Sequence, residues 1–367
     1  MHERTPSGKI RARGLGLKLP GVTGKHNAIT DVPGVEVGVT TLISGDGPLI
    51  VGKGPIRTGV TAILPRGKQA PRVPCAAGSY SLNGNGEMTG LLWIEECGEL
   101  ETPIVITNTN SCGVARDALA QWLVPRRTDA TQDWGLPVAA ETFDGDLNDI
   151  DGFHVTREHV WQALDSASSG PVEMGCVGGG TGMITYDFKA GNGSASRVVK
   201  IGSESYTLGV FVQSNFGRRE DLTILGVPVG QHITHDKLRG RDEGSIIAVI
   251  ATDAPLMAHQ LKRLARRVPL GLARTGTIGS NSSGDIFLAL STANTAGFGS
   301  RESKRSFEGL GNESIDVFFR AVVEAVEEAV LDAMICAETM VGRDGNRSIA
   351  LPHAAMLALL EAQGKVT

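Results

Sequence analysis

The chain has 367 residues, a net charge of −5 and 41% hydrophobic residues, an ordinary globular balance. It lacks the basic footprint of a nucleic-acid binder, and no run of about 18 apolar residues would span a membrane. Five cysteines, odd in number and in no CxxC pair, argue against a disulfide framework or a zinc cluster.

The start, Met1 to Arg13, is basic but lacks the apolar stretch of a secretory signal. With the cysteines kept as thiols, a reducing, cytoplasmic compartment is expected. Residues 1–25 are rich in glycine and basic residues and read as poorly ordered. A turn at Asp31-Val32-Pro33-Gly34 leads into the alternating strand Val35 to Val39. Val60 to Leu64, Leu91 to Ile94 and Ile104 to Thr107 are short apolar runs of strand type. Ala115, Ala118, Leu119 and Trp122 are spaced for a helix over 113–123, and Val155 to Leu164 is a weaker helical pattern. Val198 to Ile201, Thr207 to Val212, Ile246 to Ala251 and Ile286 to Ser291 read as strands. Asp253 and Pro255 are suited to open a helix that carries Met257, Leu261, Leu264 and Ala265 on one face. A longer helix begins near Ser314, and a last short one runs from Pro352 to Gln363 and closes at Gly364. Strands and helices come in clumps, which predicts a layered α+β fold over a doubly wound sheet. The polar stretch from Gly217 to Gly244 is either an exposed loop or a boundary between two parts.

Several motifs fail on their own chemistry. Gly47-Pro48-Leu49-Ile50-Val51-Gly52-Lys53 resembles a phosphate loop, but Gly54 stands where Ser or Thr would hold Mg²⁺. Asp144, Asp146 and Asn148 alternate like a calcium loop, yet Asp149 replaces the turn glycine and Val155 the closing glutamate. His232, His235 and Asp236 sit in a polar loop and make a poor metal site, so no metal is expected. Gly178-Gly179-Gly180-Thr181-Gly182 either cradles an anion or lets backbones pass closely, and spacing favours the second.

Two segments carry nucleophile chemistry. Gly244-Ser245 precedes the apolar run Ile246 to Ala251. Cleavage before such a serine would give it a hydroxyl and an α-amine on one framework, and an α-amine of pKa ~7.7–8.0 is suited to act as base. Gly279-Ser280-Asn281-Ser282-Ser283-Gly284-Asp285 packs hydroxyls and a carboxylate before the next strand. Taken singly, both are ordinary turn sequences.

Together with other segments they resemble the L-aminopeptidase/D-esterase (DmpA-type) family of self-cleaving serine aminopeptidases, which includes β-peptidyl aminopeptidases. The matching segments are Asn27 to Val35, Ala140 to Gly145 with Leu147-Asn148-Asp149, Val177 to Met183, Val212 to Gly217, Gly244 to Ile247 and Ser282 to Asp285, in the family's order. The resemblance implies a single domain over 1–367, a four-layer αββα sandwich like the N-terminal-nucleophile hydrolases but with different connectivity. It implies self-cleavage between Gly244 and Ser245 into an α chain of 1–244 and a β chain of 245–367, with Ser245 as nucleophile. Asn215 is implied as oxyanion donor, Ser283 and Asp285 as the groups that orient the Ser245 amine and hydroxyl, and Glu141 as partner of the substrate ammonium. Asp285 stands where some relatives have glutamate. Phe143 replaces a tyrosine of the family's Glu-Thr-Tyr-Asp-Gly segment and removes one hydroxyl. Trp134 either lines the acyl pocket or packs in the core.

The expected activity is release of an N-terminal amino acid from small peptides, amides or esters, with no cofactor, no nucleic acid and no membrane. A homo-oligomer, a tetramer of αβ units, is implied. The alternatives are an ornithine-acetyltransferase-like acyltransferase, which would use threonine as nucleophile, and a non-catalytic amino-acid-binding relative.

Overall fold

In the computed structural model, residues 2–126, 135–239, 244–300 and 302–367 are described. A four-stranded sheet joins β1 (Glu36–Ser44), β2 (Ile56–Leu64), β5 (Ile104–Asn108) and β6 (Val138–Thr142) in that order. A six-stranded sheet runs β4 (Glu99–Leu100), β3 (Cys75–Gly84), β12 (Gly284–Ser291), β11 (Ser245–Thr252), β10 (Glu204–Asn215) and β9 (Asn192–Ile201). β7 (Ile184–Thr185) and β8 (Phe188–Lys189) form a separate small hairpin. The helices are α1 (Leu91–Cys97), α2 (Cys112–Leu123), α3 (Arg157–Ser166), α4 (Val229–His232), α5 (Ala258–Ala265), α6 (Val268–Ala273), α7 (Thr295–Gly299), α8 (Asp316–Ile335) and α9 (His353–Glu361).

The layers follow from strand alternation. In β11, Ile247, Val249 and Ala251 point between the sheets, beside Ile104, Ile106, Val138 and Ala140 of the smaller sheet. Ile246, Ala248 and Ile250 point outward against α5, α6 and α8. Both faces are therefore buried, which is why β11 reads as a continuous apolar run and not an alternation. On the far side, α2 and α3 cover the smaller sheet through Ala115, Leu119, Val160 and Leu164. The result is the four-layer αββα sandwich. Close helix contact needs glycine at Gly193 of β9, where a Cβ would stand 1.9 Å from the Ala329 carbonyl of α8.

The structure departs from the sequence reading in several places. Leu91 to Ile94 belongs to α1, because left-handed glycines at Gly90 and Gly98 bracket one short helix and Leu92 faces solvent. β3 and β6 were missed, since Cys75-Ala76-Ala77-Gly78 and Val138-Ala139-Ala140 lack the β-branched density of a strand signal. α5 starts later than expected: the Asp253 carboxylate accepts the Thr207 N–H, and Gln260 Oε1 accepts the Met257 N–H at 2.9 Å to form the cap. The start of the chain is fixed. Arg11 is buried and pairs with Asp332 of α8 at 2.7 Å, and Ala12 and Leu17 join the outer core. The stretch from Gly217 is no linker, because Leu222, Ile224 and Val229 are fully buried.

Candidate active site

Antiparallel register sets Asn215, the last residue of β10, opposite Ser245, the first of β11. Residues so paired share a face with Cβ atoms about 4.5–5.5 Å apart. Parallel register sets Gly284 beside Ser245, so Ser283 and Asp285 flank the residue opposite it. Ser245 Oγ donates to the Gly244 carbonyl oxygen at 2.7 Å, and the Gly284 N–H donates to the same oxygen at 3.2 Å. The bond expected to be cut is thus already polarised, with the serine oxygen beside it. Glycine is required there, since a Cβ on Gly244 would lie 1.8 Å from the Asn215 carbonyl oxygen.

Ser283 Oγ donates to Asp285 Oδ1 at 2.6 Å. Asn83 Nδ2 donates to Asp285 Oδ2 at 3.0 Å. A register shift between Asp285 and Ile286, opposite Leu82, brings Asn83 onto Asp285. Asn215 Nδ2 donates to the Phe143 carbonyl at 2.7 Å, while its Oδ1 accepts from the Ile184 N–H at 2.9 Å.

A cavity of about 540 Å³ opens beside these groups, lined by Asn85, Glu87, Glu141, Phe143, Ser245 and Ser282 among others. Ser282 lines it; Ser283 instead faces Asp285. Glu141 is 3% exposed. Its carboxylate accepts the Glu87 N–H at 2.9 Å and the Thr109 hydroxyl. Burial raises the Glu141 pKa, and the Thr109 and Glu87 hydrogen bonds pull it back in part. Glu87 is the second carboxylate, and among the described residues no Lys, Arg or His lines the cavity. Such a lining favours a cationic ligand. Trp134 lies outside the described residues.

The sequence reading missed Asn83, Asn85, Thr109 and the Glu87 N–H. The Asn83-Gly84-Asn85-Gly86 turn was the available signal, because Asn-Gly pairs mark tight turns at strand ends. The discarded motifs also have structural explanations. The Gly52 and Gly54 N–H groups of the phosphate-loop look-alike donate to Asp149 Oδ2, so a carboxylate from the calcium-loop look-alike occupies them. The Gly178 and Gly179 N–H groups donate to Thr41 and Thr61 hydroxyls, which fits close backbone packing and not an anion cradle. Among the described residues no group of three or more His, Cys, Asp or Glu is placed to hold a metal.

Asp144, next to Phe143, is fully buried, and burial pushes its pKa up to about 7 although Thr58, Asn148 and Asn108 lower it. In the unfolded chain it titrates near ~3.9. Between about pH 4 and 7 the folded state holds a proton that the unfolded state has released, so this group's stabilisation is lost as pH rises through that window. Asp144→Asn is expected to flatten the fall in Tm between pH 5 and pH 8. An unchanged slope in thermal melts would refute this.

Comparison with known proteins identifies the family and the fold. The model of Peptidase family S58 matches residues 27–348. Beta-peptidyl aminopeptidase BapA of Sphingosinicella microcystinivorans is 49% identical over 366 residues, covering 96% of this chain and 92% of that protein. The solved L-aminopeptidase D-Ala-esterase/amidase of Ochrobactrum anthropi, a prototype for the serine aminopeptidases and a variant of the Ntn hydrolase fold, superposes with a TM-score of 0.92. It is 49% identical, over 97% of this chain and 99% of that one. A Burkholderia sp. beta-aminopeptidase superposes with a TM-score of 0.89 at 45% identity, over 97% and 99%.

Proposed function

This chain belongs to peptidase family S58 and is a serine aminopeptidase of the Ntn type, and we propose that Ser245 is its nucleophile, released by self-cleavage after Gly244. The observation that carries the proposal is the Ser245 Oγ contact with the Gly244 carbonyl beneath a cavity lined by carboxylates.

In the first stage Ser245 Oγ attacks the Gly244 carbonyl carbon. The C–N bond breaks, the acyl group passes to oxygen as an ester, and the proton leaving Oγ ends on the freed Ser245 amine. Water hydrolyses the ester and leaves a 244-residue α chain and a 123-residue β chain. β11 lies between β10 of one product and β12 of the other, so the products stay paired within one sheet.

In the second stage Ser245 Oγ attacks the carbonyl of an N-terminal residue. The α-amine takes the proton, with Ser283 and Asp285 orienting it, and returns it to the leaving amine. The Asn215 amide donates to the oxyanion, a role typically worth ~2.7–4 kcal/mol in the transition state. Water then releases the amino acid. Glu141 pairs with the substrate ammonium, and Phe143 forms a wall of the pocket. The substrates are small peptides, amides or esters with a free N-terminus, including N-terminal β-residues. The names of the similar enzymes support the last point.

The acyltransferase alternative is set aside: the residue after Gly244 is serine and the family is a peptidase family. The non-catalytic alternative falls with it. We also propose a cytoplasmic enzyme, consistent with five free cysteines, and a tetramer of αβ units, to which the exposed Leu92 and Ile278 offer apolar surface.

Intact mass under denaturing conditions tests the reading. The expected result is two pieces of about two-thirds and one-third of 38.5 kDa, the smaller beginning at Ser245. A single 38.5 kDa species in an active preparation overturns it.

A further inference from the structure

The segment before the scissile bond carries a buried cation that the chemistry above leaves unused. The Arg239 side chain is 5% exposed and lies five positions before Gly244. Its Nη2 donates to Asn215 Oδ1 at 2.9 Å, its Nε to Asp146 Oδ2 at 2.6 Å, and its Nη1 to the Ile184 carbonyl at 3.3 Å. The backbone beneath it is held as well. The Leu238 and Arg239 N–H groups both donate to Asp187 Oδ1, at 2.9 and 3.0 Å. Asp187 occupies the tip of the β7–β8 hairpin, where Tyr186 and Asp187 have φ of +52° and +59°. Two successive residues with positive φ give a tight hairpin turn, one that matches strand twist.

This arrangement determines which way the Asn215 amide faces. A guanidinium has only donors. The Ile184 N–H is also a donor, and both point at the same atom of Asn215. That atom must be the oxygen. A flipped amide would set two donors against an NH₂ group and lose both hydrogen bonds, each leaving a buried polar group unpaired. With the oxygen pinned, Nδ2 is turned to the carbonyl of Phe143, a residue that lines the cavity.

We propose that Arg239 is a positioning residue: its guanidinium, braced by Asp146, locks the Asn215 amide in the donor orientation for acyl transfer. The inference rests on the reading of Asn215 as oxyanion donor. It also assigns a role to Asp146, which the sequence left in a failed calcium pattern. Arg239 and Ser245 come from opposite sides of one scissile bond, so Arg239 of the α chain keeps the oxyanion donor in place after cleavage.

A double-mutant cycle tests this, with kcat counted per chain bearing Ser245 at its N-terminus. Arg239→Met is expected to lower kcat about tenfold or more with KM within about twofold. Arg239→Lys, which keeps the charge and one donor, is expected to recover part of that loss. Asn215→Ala is expected to lower kcat by about 10²–10³, and Arg239→Met in that background is expected to add less than about twofold, because its effect passes through the amide already removed. An Arg239→Met chain that stays uncut overturns the proposal, which confines Arg239 to acyl transfer in the cut enzyme. An Arg239→Met enzyme with wild-type kcat overturns the proposal, as does a loss that multiplies fully with Asn215→Ala, which marks a merely structural role. Wild-type kcat in Asn215→Ala removes the oxyanion assignment itself, and the proposal goes with it.

Discussion

Ser245→Ala is expected to remain a single 38.5 kDa chain and to lose turnover on aminoacyl amides and esters. Both losses have one cause, since the same oxygen attacks the Gly244 carbonyl during processing and the substrate carbonyl afterwards. Removing a serine nucleophile costs on the order of 10⁶ in kcat where this has been dissected. The fold is expected to survive. Ser245 is buried, alanine fits the space, and the 2.7 Å contact with Gly244 is a single hydrogen bond worth about 0.5–1.5 kcal/mol. Circular dichroism and a melting curve separate loss of chemistry from loss of structure. Turnover in a folded, uncut variant would show that the nucleophile lies elsewhere.

Glu141→Gln is expected to cost about 30- to 5000-fold in kcat/KM for substrates with a free amine, the range for truncating one side of a buried charge pair (about 2–5 kcal/mol). The wild-type carboxylate is desolvated and held by the Thr109 hydroxyl and the Glu87 N–H. It rewards a substrate that brings a cation and penalises an N-acetylated one that leaves it unpaired. The pH profile gives a second readout. Burial raises the Glu141 pKa above the ordinary glutamate value of ~4.3. The carboxylate must be ionised to hold the ammonium, so kcat/KM is expected to fall as pH drops through that raised pKa. Glutamine cannot titrate, so the step that Glu141 adds to the acid limb should vanish, while the step set by protonation of the Ser245 α-amine base remains. A variant that keeps both the Glu141 step and the preference for a free N-terminus would assign the ammonium to another group, with Glu87 the next to test.

Candidate site residues that lie in contiguous segments were legible in the chain, their proposed roles through the family resemblance. Gly244-Ser245 before an apolar run, Ser283 and Asp285 two positions apart, and Glu141 in its acidic segment are local patterns. Local pattern also exposed α8 and the buried strands β11 and β12, because long apolar runs reflect burial directly. β3 and β6 stayed hidden because their small residues are selected by packing against helices and the facing sheet, which no window of sequence contains. Residues 91–94 were misread for a related reason: the glycines that cap α1 lie just outside the apolar run.

What the sequence by itself determined is the layered α+β class, the glycine-serine junction and the set of candidate side chains. What only the tertiary structure decided is which of them meet. Strand register puts Asn215 and Gly284 on either side of Ser245, and a register shift brings Asn83 to Asp285. The Arg239 guanidinium reaches Asn215 across 24 positions and Asp146 across 93. These are long-range pairings fixed by backbone hydrogen bonds and close packing, and they leave no periodicity in the chain. The same physics dissolved the false motifs: the apparent phosphate loop and the apparent calcium loop satisfy each other, amide to carboxylate, once the fold brings Gly52 and Gly54 to Asp149.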